Sequence, residues 1–351
     1  MNTRPEVLVA MSGGVDSSVA AALLLERGFA VTGVTMKLWG GESDSGCCSV
    51  SDVDDARRVA DHLGIDHHVF NFGDDFDERV VQPYVAAYAS GITPNPCIEC
   101  NRHLKFDRLL RRADALGFTM VATGHHARIV SVGGATRRMA RGADPLKDQS
   151  YVLYMLRQPE LARILLPIGD IDKAGVRAIA SRLGLRTAAK PDSQDVCFIT
   201  AVGGREKFLG ARIPLREGRI VDTAGNELGR VPAVELVTVG QRKGLELAGA
   251  GRRRFVVDVD VASATVVVGS REDLDCERMA VANVVWSDTA IAGRCSVQCS
   301  AHGDPRAATI EVVDADHVTV RWDEPQRRVA PGQSAVFYDR DTVLGGGIVT
   351  C

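Results

Sequence analysis

Over the first ~200 residues, short unbroken apolar runs alternate with stretches whose apolar positions recur every three or four residues, the pattern of parallel strands joined by helical crossovers. Val7-Leu8-Val9-Ala10-Met11 reads as a buried strand. It opens into Ser12-Gly13-Gly14-Val15-Asp16-Ser17-Ser18, and a helix continues at once through Val19-Ala20-Ala21-Ala22-Leu23-Leu24-Leu25. Ala30 to Met36 forms a second apolar run. Ser51-Asp52-Val53-Asp54 has the form of a capping box and predicts a helix with Val53, Ala56, Val59, Ala60 and Leu63 on its apolar face. His68 to Phe72 reads as a third strand, followed by a helix carrying Val80, Val81, Val85 and Ala89. A loop, Ser90 to Pro96, leads to a helix with Leu104, Leu109, Leu110 and Leu116. Thr119 to Ala122 is a fourth strand, ending at Thr123-Gly124-His125. The expected class is α/β, a doubly wound and mostly parallel sheet whose ligands sit beyond the carboxyl ends of the strands.

The pattern changes after Gly203-Gly204. A helix near Glu206–Leu209 precedes short apolar segments separated by Pro214, Gly218, Gly225, Gly229 and Gly240, which predict a small mixed or β-rich central domain. From Met279 onward β-branched segments recur at turn-punctuated intervals: Val281–Val285, Cys295–Cys299, Ala308–Val313, Val318–Val320, Ala335–Tyr338 and Gly346–Val349. That spacing predicts a compact C-terminal β-barrel of about six strands. The expected domains are residues 1–205, 206–277 and 278–351.

At 351 residues the chain has room for two or three domains, and with 45% hydrophobic and 25% charged residues its composition is that of a globular protein. The apolar start is broken within a few residues by Ser12, Gly13, Gly14 and Asp16, and no run approaches a membrane span. The expectation is a cytoplasmic protein with neither leader nor membrane partner. A net charge of -3 does not advertise a nucleic-acid binder, but such a footprint is local. Basic clusters do occur: Arg102, His103, Lys105, Arg108, Arg111 and Arg112; Arg137, Arg138, Arg141 and Lys147; and Arg252, Arg253 and Arg254. Nine cysteines in a cytosolic chain point to buried, catalytic or metal-bound thiols rather than to a disulfide framework.

Three segments carry candidate chemistry. In the first, backbone N–H groups of the Ser12–Ser18 turn and of the following helix N-terminus form a nest suited to phosphate. No Gly-Lys-Ser/Thr follows, so this is not the loop that serves γ-phosphate transfer. It resembles the Ser-Gly-Gly-x-Asp-Ser loop of ATP pyrophosphatases, which cleave ATP to AMP and pyrophosphate while adenylating a substrate. The second segment is Thr93-Pro94-Asn95-Pro96-Cys97-Ile98-Glu99-Cys100-Asn101. Its two prolines stiffen the loop, and Cys100 falls near the start of a helix beside Arg102 and Lys105, a setting that favours a thiolate. In the third, Lys190-Pro191-Asp192-Ser193-Gln194-Asp195-Val196-Cys197-Phe198-Ile199, polar residues precede a cysteine entering an apolar, strand-like stretch.

Together with Ala122-Thr123-Gly124-His125, Lys147-Asp148-Gln149-Ser150-Tyr151, Gly240-Gln241-Arg242-Lys243-Gly244, Pro331-Gly332-Gln333-Ser334-Ala335-Val336 and Leu344-Gly345-Gly346-Gly347-Ile348, these segments resemble the tRNA-specific 2-thiouridylases over nearly the whole chain. The resemblance implies an adenine nucleotide alpha hydrolase-like catalytic domain and a tRNA-binding C-terminal barrel. It implies ATP, with Mg²⁺, as cofactor. Ala10, Met11, Ser12, Gly13, Gly14, Val15, Asp16, Ser17, Met36 and Gly124 would contact the nucleotide, and Asp16 would either brace the loop or help hold Mg²⁺. The wobble uracil O2 would be adenylated and then replaced by sulfur. Cys197 would carry that sulfur as a persulfide received from a cysteine desulfurase or a sulfur-carrier protein. Cys100 would be the nucleophile that frees it, through a transient disulfide with Cys197. Asn95, Pro96, Cys97, His125, Lys147, Asp148, Gln149 and Gln333 match positions that meet tRNA.

Two positions depart from the pattern. Cys97 stands where some members carry an aspartate proposed to assist proton transfer, and Ser300-Ala301-His302-Gly303 stands where many have an Arg-Tyr pair against tRNA. Three other readings compete. Cys97, Cys100 and Cys197 have the make-up of three ligands to an iron–sulfur cluster in a different class of tRNA thiolase. The loop alone also suits an adenylating ligase for a small molecule, and the chain as a whole a non-catalytic tRNA-binding module. The adjacent pair His125-His126 is discounted as a metal site, because neighbours on a strand face opposite ways. Cys47, Cys48, Cys276, Cys295, Cys299 and Cys351 receive no role, and burial is the default for most of them.

Overall fold

The computed structural model describes residues 4–38, 50–192, 196–247 and 253–350. The chain divides into two compact units, Met1–Val80 with Pro96–Gly203 and Asp341–Leu344, and Val81–Asn95 with Gly204–Arg340 and Gly345–Cys351.

The first unit is built on a five-stranded sheet. Its strands β1 (Glu6–Ala10), β2 (Ala30–Lys37), β3 (His67–Asn71), β4 (Met120–Ala122) and β7 (Ile164–Leu165) lie in the order β3-β2-β1-β4-β7. Every pairing is parallel, with Val9 opposite both Gly33 and Ala122. Strands buried on both faces read as continuous apolar runs, which is why Val7–Met11 is unbroken. Helix α1 (Val15–Glu26) buries Val15, Ser17 through Ala22, and Leu24. Its run of alanines presents little side-chain bulk, so it packs closely without an amphipathic stripe. Helix α2 (Val50–Leu63) is amphipathic and buries Ala56, Val59 and Ala60. It has already begun at Val50, so Ser51 lies inside the helix rather than capping it. The core joins Val7, Val9, Val19, Leu24, Val59 and Val176. A hairpin of β5 (Ala127–Ser131) and β6 (Arg137–Arg141) follows β4.

In the second unit, β8 (Gly218–Asp222), β9 (Glu227–Val231), β10 (Glu246–Leu247), β11 (Phe255–Asp260) and β12 (Thr265–Gly269) form a mixed sheet, with β8 and β12 parallel and the other pairs antiparallel. Ile220, Val231, Val256, Val266 and Val268 make its core. Then β13 (Asp275–Trp286), β14 (Gly293–Gln298), β15 (Arg306–Val312), β16 (Val318–Arg327), β17 (Ser334–Asp339) and β18 (Thr342–Val349) close into a barrel in the order β13-β16-β15-β14-β17-β18, with β18 returning to β13. The six β-branched segments of the sequence are these six strands. Closure leaves no open strand edge, which a β-branched sheet of this kind would otherwise expose.

Candidate active site

The order β3-β2-β1-β4-β7 reverses direction at β1, since the chain leaves β1 towards β2 on one side while β4 pairs on the other. The loops after β1 and β4 therefore diverge, and a crevice opens at their carboxyl ends. A cavity of ≈ 280 Å³ lies there, lined by both loops and by residues near Lys147, Lys173 and Lys190. Of the ten residues that the family resemblance assigns to a nucleotide, only Gly13 does not line it.

Two glycines set the shape of the crevice. Gly13 has φ +71°, and a Cβ there would sit 2.3 Å from the Asp52 carbonyl oxygen. Gly124 has ordinary backbone angles, but a Cβ on it would lie 2.6 Å from the Ser17 nitrogen and 2.7 Å from the Asp16 carbonyl carbon. The β4 loop is thus pressed backbone-to-backbone against the first turn of α1. Within the first loop, the Ser12 N–H donates to Ser17 Oγ at 3.1 Å, while Ser17 and Ser18 hydroxyls donate to the Gly14 carbonyl at 3.2 and 2.8 Å.

Charged groups ring this loop. Asp16 accepts Lys173 Nζ at 2.7 and 2.8 Å and His126 Nε2 at 3.1 Å. Burial alone would raise its pKa, but the His126 and Lys173 bonds win and lower it. Lys173 also reaches Asp192 at 2.8 Å, as do Lys147 at 2.8 Å and Arg177 at 2.9 Å. Against the opposing pull of burial, the Lys147 and Lys173 bonds hold the Asp192 carboxyl at about 2. Lys190 donates to Asp52 and Asp55, both at 2.7 Å, and to the Gly13 carbonyl at 3.0 Å, which ties α2 to the loop. Lys173, His126, Lys105 and Thr123 line the cavity without having been singled out as nucleotide contacts from the sequence. Lys173 opens an ordinary amphipathic helix, Lys173–Arg182, and nothing local marks it.

The residues matched to tRNA contacts are dispersed. Lys147 and Gln149 line the same cavity. Gln149 Oε1 accepts the His126 N–H at 2.8 Å, and the Gln149 N–H donates to the His126 carbonyl at 2.9 Å. Asp148 turns inward, accepting Arg141, the Gly142 and Ser150 N–H groups and the Ser150 hydroxyl at 2.8–3.0 Å. His125 is buried, shares a 2.7 Å hydrogen bond with Thr123 Oγ1 and lies 5.7 Å from the Phe106 ring. Burial, reinforced by Lys105 and His126, keeps His125 well below the usual histidine range, so it is a neutral wall of the crevice. In the second unit, the Gln333 side-chain amide donates to the Thr93 carbonyl at 2.6 Å, and the Thr93 N–H donates to the Pro331 carbonyl at 2.9 Å. The chain passes from that unit to the first between Asn95 and Pro96.

The cysteine segments differ from expectation in their local structure. The helix begins at Pro96 rather than near Cys100, so Cys97 is in its first turn and Cys100 is its fifth residue. The helix dipole, which fades within a turn, therefore acts on Cys97 more than on Cys100. The helix widens into a π-helix over Asn101–Arg108. Lys105, within that π-helix, lines the cavity. Glu99 takes His103 at 3.2 Å and Arg102 at 3.7 Å, so the Arg102 charge is shared rather than devoted to Cys100. Cys197 does not enter a strand: it is the first residue of a short helix, Cys197–Ala201, whose Phe198 is buried. Proline and polar residues upstream suit a helix start as well as a strand start, and the apolar stretch is too short to separate the two.

Cys100 and Cys197 are half-buried and Cys97 is exposed. Among the described residues no group of three or more His, Cys, Asp or Glu is arranged to hold a metal ion. In the second unit, burial pushes the Cys295 and Cys299 thiols up to about 12 and raises Cys276, which leaves them inert at neutral pH. Cys47, Cys48, Cys351 and Ser193–Asp195 lie outside the described residues. Among the described residues no helix is long and apolar enough to cross a membrane.

Comparison with known proteins covers nearly the whole chain. Family profiles described as a tRNA methyl transferase HUP domain, a tRNA methyl transferase PRC-barrel domain and an aminomethyltransferase beta-barrel domain match residues 5–201, 206–270 and 276–349. The chain is 46% identical to the tRNA-specific 2-thiouridylase MnmA of Roseiflexus castenholzii over 368 residues, covering 97% of this chain and 98% of that protein. It is 47% identical to the protein of the same name in Chloroflexus aggregans, covering 97% of each. Among solved structures it is similar to the U34-tRNA thiolase NcsA from Methanococcus maripaludis with its [4Fe-4S] cluster, at 18% identity and a TM-score of 0.38 over 56% of this chain and 62% of that one.

Proposed function

The chain belongs to the tRNA-specific 2-thiouridylase family, and from that premise we propose that it replaces the C2 oxygen of the tRNA wobble uridine with sulfur at the expense of ATP. The observation that carries this reading is the crevice: a glycine–serine loop at a helix N-terminus, closed by Gly124 and ringed by Lys105, Lys147, Lys173 and Lys190. Four ammonium groups and a nest of N–H donors suit a triphosphate whose pyrophosphate leaves with its charge stabilised. Met36, Met11 and Ala10 supply an apolar wall for the adenine. Asp16 and Asp192 are hard oxygen donors in the crevice and suit a Mg²⁺ ion that arrives on the nucleotide phosphates.

In this reading uracil O2 attacks the α-phosphorus, pyrophosphate departs and the base gives up its N3 proton. Lys173 then exchanges its bonds to Asp16 and Asp192 for phosphate oxygens. Cys197 holds sulfur as a persulfide. The Cys100 thiolate attacks the Cys197 sulfur of that persulfide, which forms a Cys100–Cys197 disulfide and expels hydrosulfide. Hydrosulfide attacks C2 and AMP leaves. External thiol reduces the disulfide, a bond that a reducing compartment keeps transient. The Thr93–Gln333 and Thr93–Pro331 bonds brace the segment that leads into Asn95 and the helix start at Pro96–Cys97, where the flipped-out base would be met.

The test is incubation of unmodified tRNA with ATP, Mg²⁺ and a persulfide donor, followed by nucleoside analysis. The reading expects 2-thiouridine at the wobble position and one pyrophosphate for each sulfur inserted. Pyrophosphate exchange without tRNA would instead mark a small-molecule ligase, and absence of ATP turnover with tRNA and donor would mark a binding module.

A further inference from the structure

Outside the crevice, the first unit carries a second cavity of ≈ 450 Å³ between the end of β3 and the helix that begins at Pro96. Phe70 and Phe72 line one side, and Arg108, Arg111 and Arg112 the other. The Arg112 guanidinium lies 5.2 Å from the Phe70 ring centroid and that of Arg108 5.9 Å from Phe72, so the rings hold the cations in place. Arg108 bonds Asp75 at 2.9 Å and Arg111 bonds Asp107 at 2.6 Å. The Arg111–Asp107 pair is exposed and spaced i,i+4, a weak and solvent-screened pair, so a partner's carboxylate replaces it readily. Arg112 has no carboxylate within 4.0 Å among the described residues.

The neighbouring strand is also open. β3 is the last strand of its sheet, with β2 on one side and no strand on the other among the described residues. Val69 on it is 43% exposed. An open edge offers unpaired backbone N–H and C=O groups, a template for an added strand. An RNA backbone would use the guanidinium groups but not the strand edge or Val69. An extended acidic polypeptide uses all of them.

The cavity is connected to both cysteine segments. Arg108 lies eight residues beyond Cys100 on one helical run, roughly 12 Å at a helical rise. Phe76, directly after the Phe72–Asp75 stretch that Arg108 grips, packs edge-on against Phe198 with ring centroids 5.6 Å apart. Phe198 adjoins Cys197.

We propose that this groove is the docking site of the sulfur-donor protein, which lays an acidic extended segment along β3 with its carboxylates on Arg108, Arg111 and Arg112. The inference rests on the persulfide reading above. In the transfer, the Cys197 thiolate attacks the terminal sulfur of the donor persulfide. The donor's S–S bond breaks, the donor leaves as a thiolate, and Cys197 carries the persulfide, with no net oxidation.

The test compares wild type with R111E/R112E and with R111A/R112A; Arg108 is kept because its bridge to Asp75 joins two segments. Thiolation is measured with the organism's cysteine desulfurase plus L-cysteine, and separately with sodium sulfide, which needs no docking. The charge reversal is expected to lower the desulfurase-driven rate at least tenfold at low donor concentration, the equivalent of about 1.4 kcal/mol. The rate should recover as donor rises, with a smaller loss in the alanine variant. Sulfide-driven thiolation and tRNA affinity should stay at wild-type values. Equal loss with both sulfur sources, weakened tRNA binding, no change at all, or a wild type no faster with desulfurase than with sulfide would each overturn the proposal. Cys197→Ser in the same assay separates the two ideas. Its full activity with desulfurase overturns the relay, whereas its inactivity beside a fully active R111E/R112E overturns the docking site alone.

Discussion

Substituting alanine for Gly124 probes the crevice where its tolerance is least. The added Cβ would stand 2.6 Å from the Ser17 nitrogen, 2.7 Å from the Asp16 carbonyl carbon and 2.9 Å from the Ser17 Cα. All three atoms are backbone, so no side chain can swing aside. To reach an ordinary contact of 3.4 Å the β4 loop and the first turn of α1 must part by about 0.8 Å. Overpacking of this kind costs about 1–3 kcal/mol, and at about 1.4 °C per kcal/mol for 351 residues the melting temperature falls by about 1–4 °C. The functional cost is larger, because a misplacement near 1 Å in a positioning element costs on the order of 100-fold in rate. Gly124→Ala is therefore expected to stay folded at 25 °C and to lose on the order of 100-fold in kcat/KM for tRNA-dependent pyrophosphate release. Gly28→Ala is the control: it has φ +85° but open space around it, so it carries backbone strain without touching the crevice. Wild-type pyrophosphate release by Gly124→Ala, or an equal loss in Gly28→Ala, would refute the close-approach argument.

Three further outcomes follow from the same geometry. Lys173→Met leaves Asp16 and Asp192 without a shared cation, and its pyrophosphate release should fall further than that of Lys173→Arg; equal rates for the two would remove Lys173 from phosphate handling. Asp192 is held at about 2 against an ordinary 3.8, so its contribution to stability is present above about pH 4 and is lost as pH falls towards 2. Asp192→Asn should accordingly lower the urea midpoint at pH 7, with the gap to wild type closing as pH falls from 3.8 to 2; a gap that is constant with pH would contradict the ion-pair account. Gly332 has φ +90°, and a Cβ on it would meet Ile92 Cγ2 at 2.3 Å, so Gly332→Ala should disturb the Thr93 brace and raise KM for tRNA while leaving KM for ATP unchanged; a change in KM for ATP alone would sink that assignment.

How much of this was legible in the sequence varies with the range of the interaction. Val7–Met11, the glycine–serine turn and α1 were readable because a doubly buried strand and a buried helix leave continuous apolar runs. The six barrel segments were readable because turns break them at regular intervals, although β13 and β16 run longer than their apolar cores through polar residues such as Arg278 and Arg327. The β5–β6 hairpin was missed because Ala127–Ser131 and Arg137–Arg141 alternate too weakly and carry four arginines. Cys-Phe-Ile-Thr favours neither strand nor helix locally, so the sequence does not reveal that Cys197 opens a helix. In the crevice, the loop was evident and its ring of lysines was not. Lys173 meets Asp16 across 157 positions and Lys190 meets Asp52 across 138, separations that no local pattern encodes. The family resemblance matches Asp148 to a position that meets tRNA, whereas its carboxylate is held inward by Arg141 and Ser150.

The central claim is a division of labour: the Ser12–Ser17 loop activates the base, and Cys100 and Cys197 deliver the sulfur. Its most direct measurement follows pyrophosphate release and 2-thiouridine formation together on one unmodified tRNA, with ATP and a persulfide donor, in Cys100→Ser, Cys197→Ser and Cys97→Ser. The account predicts that the first two release pyrophosphate and form no 2-thiouridine, while Cys97→Ser keeps at least part of both activities. Full thiolation by Cys197→Ser, or loss of pyrophosphate release in step with loss of thiolation, would contradict it.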